Sequence, residues 1–204
     1  MPLNHPLSLV KMLDRGRGKR WRRGTIVMIF RETKLPGAFI IEVQRLEDER
    51  GFFGRSFCRN EFAGWGLNPV VAQCNISFNR YVGTLRGMHY QEAPHAEDKL
   101  IRCTRGSLYD VIVDLRWESP TFKQWIALEL TRDNRRMLYV PKGCAHGFQT
   151  LEDNTEVFYQ MSEFFHPESS RGVRWNDPAF RIQWPTGIQE ILSERDRNWP
   201  DYPA

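Results

Sequence analysis

Leu85-Arg86-Gly87-Met88-His89-Tyr90-Gln91 and Pro141-Lys142-Gly143-Cys144-Ala145-His146-Gly147-Phe148 decide how this chain reads. Each sets one histidine beside a glycine at the inner end of a strand-like run, and the β-rich segment between them carries Lys99. The pair reads as two walls of one pocket. Outward from there, Leu108-Tyr109-Asp110-Val111-Ile112-Val113-Asp114-Leu115 is the plainest strand, dense in β-branched and aromatic residues. Residues 38–43, 70–78, 84–90, 99–104, 125–130, 136–140, 147–151 and 156–161 read as further strands. They are separated by Gly, Pro, Asn and Asp breaks at the spacing of a sandwich or barrel. Along 70–78, Val71, Gln73, Asn75 and Ser77 share one face, which suits solvent or a wet pocket. Residues 61–67 form one helical turn, and 188–197 a short helix after the strand pattern stops at Phe165. The fold class is all-β with a short C-terminal helical appendage.

The composition fits one domain. With 204 residues and 41% hydrophobic side chains the chain can bury a sizeable core. No apolar run approaches the roughly 20 residues of a membrane span. Cys58, Cys74, Cys103 and Cys144 contain no C-x-x-C pair and read as reduced thiols of a cytoplasmic protein. The net charge of +4 is unevenly placed: residues 1–24 carry +6 and the remainder −2. Residues 1–27 are therefore read as a basic extension without the apolar core of a secretory signal, and 28–204 as the domain. The extension alone does not make a nucleic-acid-binding protein.

The two Gly-His stretches resemble the paired motifs of the cupin superfamily of jelly-roll barrels. The resemblance puts His89 at a metal-ligand position, Gln91 where a second histidine is usual, and Lys99 where a glutamate is usual. Pro141, Gly143 and His146 keep the second motif intact. A divalent cation wants imidazoles and anionic oxygen, and a fixed ammonium repels it. The expected pocket holds no metal and no other cofactor, leaving His and Lys for proton chemistry. A metal-dependent cupin enzyme is the rival reading, and a binding module using the basic arm is another.

The longer pattern is more specific. Leu85 to Gln91, Lys99-Leu100-Ile101-Arg102-Cys103, Tyr109-Asp110-Val111, Asp114-Leu115-Arg116 and Ser119-Pro120-Thr121-Phe122 come first. Pro141 to Phe148, Tyr159, Arg171-Gly172-Val173-Arg174-Trp175-Asn176-Asp177-Pro178 and Leu192-Ser193-Glu194-Arg195-Asp196 follow in order. Together they resemble the dTDP-4-dehydrorhamnose 3,5-epimerase family over about residues 28–197. The resemblance implies a homodimeric, cofactor-independent isomerase acting on a nucleotide-linked 4-keto-6-deoxyhexose, at C3 and C5 or at C3 alone. Position by position it makes His89 the base, Asp196 its partner, Tyr159 the acid, and Lys99 with His146 and Arg86 the groups around the enolate. Arg50, Gln73 and Asn75 fall at its nucleotide-binding positions. The chain departs from the pattern at Arg55 and Ser170, where glutamate is common, and at Phe164, where tyrosine is.

Overall fold

The computed structural model describes residues 26–202. Most of the expected basic extension lies outside that range. Thirteen strands and two short helices follow in chain order. They are β1 (Met28–Glu32), β2 (Phe39–Val43), β3 (Leu46–Asp48), β4 (Gly51–Phe53), α1 (Arg59–Gly64), β5 (Gln73–Asn79), β6 (Leu85–Gln91) and β7 (Lys99–Arg105). Then come β8 (Ser107–Asp114), β9 (Trp125–Thr131), β10 (Met137–Val140), β11 (Cys144–Thr150), β12 (Thr155–Met161), β13 (Ser170–Gly172) and α2 (Glu194–Arg197). The strands make two antiparallel sheets, β1-β2-β10-β7-β12-β5 and β13-β6-β11-β8-β9, with β3 and β4 as a separate hairpin. This is the expected jelly roll.

Three layers of packing fix it. Between the sheets, Leu35, Ile101, Leu108, Ile112, Leu130, Leu138 and Val157 are fully buried and fill one end of the barrel. Burying each such side chain contributes about 1.5–3 kcal/mol. The outer face of the larger sheet is covered by α1, whose Phe62 meets Phe30, Phe57 and Tyr139. The outer face of the smaller sheet is covered by the C-terminal segment through Val173, Phe180, Trp184 and Tyr202. Apolar filling stops at one end, so the other end stays open.

Several boundaries differ from the sequence expectation. The strand expected over 70–78 begins at Gln73 because the Val70 N–H is taken by the Asn68 side chain at 3.1 Å. The strand expected over 147–151 begins earlier, at Cys144, which places His146 within it. The helix expected over 188–197 is only the single turn α2. There the Ser193 hydroxyl accepts from the Asp196 N–H, while Ile191 bridges to Thr84 instead of winding.

One irregularity positions the site. Between β6 and β11, His146 pairs with His89 and Phe148 with Arg86, so two steps on one strand oppose three on the other. That extra residue is a β-bulge. In an unbroken strand Arg86 and His89 would point to opposite faces; here both face the barrel interior. Gly87, at φ 131°, and Gly147 make the close approach that accommodates it. A Cβ on Gly87 would lie 2.5 Å from the Gly147 Cα.

Candidate active site

The open end of the barrel is a cavity of about 460 Å³. Gln73 and Asn75 on β5, Lys99 on β7 and Tyr159 on β12 line it from the larger sheet. Arg86 and His89 on β6, with His146 on β11, line it from the smaller one, and α2 adds Asp196. The structure thus gathers eight of the nine residues singled out from the sequence. Their arrangement differs from the expectation in one respect. His89 and His146 are cross-strand partners, so the two Gly-His stretches form one wall, and the facing wall is the larger sheet.

Arg50 is not in the cavity. It sits in the turn between β3 and β4, mostly exposed, with its guanidinium on Asp48 at 2.6 Å. Phe52 and Phe53 are exposed on the same hairpin.

Within the cavity the charged groups come in pairs. His89 Nε2 donates to Asp196 Oδ1 at 2.6 Å, and Nδ1 has no hydrogen-bond partner among the described residues. Burial works to raise the Asp196 carboxyl, but the hydrogen bond and charge of His89, then Trp199 and Ser193, outweigh it and hold it lowered. Asp196 therefore stays ionised. His146 Nε2 donates to Asp110 Oδ1, also at 2.6 Å. There burial wins over His146 and Lys99 and raises the Asp110 carboxyl, whose other oxygen has no hydrogen-bond partner among the described residues. Across the cavity, burial pushes the Tyr159 phenol well up, Asp110 adds to this, and Arg86 and Ser77 oppose it. Tyr159 thus keeps its proton, with its ring centroid 6.1 Å from that of His146. The His89 imidazole and the Tyr159 phenol face one another from opposite sheets.

The family model for dTDP-4-dehydrorhamnose 3,5-epimerase matches residues 32–203. The chain belongs to that family. An enzyme of that name from Methanothermobacter thermautotrophicus is 43% identical over 83% of this chain and 92% of its own. The crystal structure of the Bacillus anthracis dTDP-4-dehydrorhamnose 3,5-epimerase, with TDP and pyrophosphate bound, is 43% identical. It superposes with a TM-score of 0.83 over 86% of this chain and 100% of that one. A 3,5-epimerase from Legionella pneumophila in complex with dTDP-4-keto-L-rhamnose is 36% identical, with a TM-score of 0.81 over 86% and 93%.

The departures from the dTDP-4-dehydrorhamnose 3,5-epimerase pattern fall in different places. Arg55 lies away from the cavity, bonded to Glu61 and the Ile26 carbonyl. Ser170 lines the cavity and accepts from Arg195 at 3.1 Å, and Phe164 is exposed. The metal centre of the wider superfamily does not fit the residues present. Both amide atoms of Gln91 are taken by the backbone: its Oε1 accepts from the His166 N–H, and its Nε2 donates to the carbonyls of His95 and Phe164. The Lys99 ammonium stands 3.1 Å from the Glu97 carboxylate and 3.4 Å from the His89 carbonyl oxygen.

Four cavity-side residues were not singled out from the sequence. Asp110 sits inside the plainest strand, where only its pairing with β11 reveals its role. Glu97 lies in a loop with nothing local to mark it. Arg195, beside the already matched Asp196, lies over the Trp199 ring at 5.0 Å. Trp199 donates its indole N–H to Asp196 Oδ1 at 3.4 Å and sits where Gly172 has no side chain.

Proposed function

We propose that this chain epimerises dTDP-4-dehydro-6-deoxyglucose at C3 and C5 to dTDP-4-dehydrorhamnose. The observation that carries the reading is the His89–Asp196 pair facing the protonated Tyr159 across one cavity. Epimerisation removes a proton beside the ketone from one face of the ring and returns one to the other. His89 takes the first proton at Nδ1, and Asp196 stabilises the imidazolium that forms. Lys99, Arg86 and His146 surround the enolate oxygen and supply donors and positive charge. Tyr159 delivers a proton from the opposite wall. The Gln73 and Asn75 amides suit a pyrimidine edge, and Arg86 also suits phosphate oxygens. Turnover in D₂O with this substrate should place solvent deuterium at C3 and C5 of the product, read by NMR. Deuterium at C3 alone, with only C3 inverted, makes the chain a C3 epimerase; deuterium at neither carbon sinks the reading.

The enzyme is read further as a homodimer of the cytoplasm, where its free thiols would remain reduced. Strand β5 is an edge of the larger sheet, and its outward Ile76 and Phe78 are 65% and 45% exposed. An uncovered apolar edge favours association. Arg50 and the exposed Phe53 stand on a hairpin outside their own cavity. Arg50 then reaches a nucleotide only across a dimer. Light scattering should give twice the 24.1 kDa chain mass, and a monomer at working concentration removes Arg50 from the binding set.

A further inference from the structure

A second group of ligand-bearing side chains lies on the rim of the cavity and takes no part in the proposed chemistry. His95 belongs to the loop between β6 and β7, and His166 and Glu168 to the segment between β12 and β13. Their rings and carboxylate meet across some seventy residues of sequence. The imidazoles stack face to face, with centroids 3.5 Å apart and 6° between planes. Glu168 Oε1 is 3.1 Å from His166 Nδ1 and 3.9 Å from His95 Nδ1, so one carboxylate oxygen sits between both ring nitrogens. Ring stacking by itself does not require that convergence. Ser169 Oγ lies 2.9 Å from His95 Nδ1 and adds a fourth polar atom. Among the described residues no other three His, Cys, Asp or Glu donors come within 4.8 Å of one another.

The backbone beneath the cluster is already fixed. The Gln91 side chain accepts from the His166 N–H at 2.7 Å and donates to the His95 carbonyl at 3.0 Å. The Glu92 N–H donates to the Ser169 carbonyl at 3.0 Å, closing the other side. The two segments are therefore held together without an ion. Two imidazole nitrogens with one carboxylate oxygen is a donor set for a borderline transition cation, where calcium or magnesium would demand more oxygen.

We propose that His95, His166 and Glu168 form a binding site for a divalent transition cation such as zinc at the cavity rim. The ion would bridge the β6–β7 loop to the segment that carries Phe165 and Ser170 into the cavity lining, and so brace the mouth. It is separate from the barrel interior and plays no part in proton transfer.

The test is calorimetric titration of the untagged full chain with zinc chloride, repeated on the His166→Asn, Glu168→Gln and His89→Asn variants. One zinc per chain is expected, weakened at least about tenfold by His166→Asn and measurably by Glu168→Gln, since loss of even an outer-shell partner costs 10–100-fold at metal sites. His89→Asn should leave the affinity unchanged, and His166→Asn should leave metal-free turnover unchanged. No saturable binding up to about 1 mM zinc overturns the proposal, as does an affinity insensitive to His166→Asn or abolished by His89→Asn.

Discussion

Replacing His89 with glutamine is expected to lower kcat by about 10³-fold, within the 10²–10⁴ range of general acid–base catalysis, and to abolish solvent deuterium uptake with it. Both losses have one cause. Exchange and inversion share the first step, removal of the proton beside the ketone, and His89 is the group placed to take it. Glutamine is the useful replacement because its Nε2 stands where the imidazole Nε2 does and can still donate to Asp196, which is 5% exposed and costly to leave unpaired. KM should change little, since the amides and arginine that suit the nucleotide are untouched. Stopped exchange with normal thermal unfolding is the supporting result. Exchange at the parent rate would place the base elsewhere in the cavity.

Tyr159→Phe should separate the two halves of the reaction. The phenyl ring keeps the buried packing against the core and loses only the hydroxyl. Epimerised product should fall by about 10²-fold for lack of a donor on the far wall. Deuterium should still enter the unreacted substrate, because His89 can remove a proton and return deuterium to the same face. The ratio of exchange to inversion, read by NMR on one sample, is the quantity that rises. Equal loss of both would make Tyr159 a partner of the enolate oxygen instead of the acid. Loss of neither would take it out of the mechanism.

The strands were legible because they alternate and because Gly, Pro, Asn and Asp punctuate them, and all-β followed from that. The histidines, Lys99 and Tyr159 were legible through motif order, which survives without coordinates. Pairing across the sheet was not. Arg86 and His89 stand three apart and read as opposite faces of a strand, and only the register against β11 turns them together. Asp110 reads as one more strand residue until Phe148 is found opposite it and His146 in hydrogen-bond reach. Gln91 falls where a second histidine is usual, and nothing in the sequence says that its polar atoms bind the backbone of two rim segments. The last helix was overestimated because Ile191 pairs with Thr84 ahead of β6 instead of winding. These misses turn mainly on contacts distant in sequence, which local propensity does not encode.

The bulge in β6 gives this enzyme an unusual kind of fragility. Identity at each position is only half of what the segment specifies; the other half is how many positions there are. Adding one residue to β11 between His146 and Phe148 would leave every essential side chain in the gene and let the two strands pair evenly, with Arg86 and His89 three apart on an unbroken strand. It would also turn one of the two away from the sugar. Lineages can therefore exchange many surrounding residues by substitution, while insertions and deletions in these few codons are closed to them.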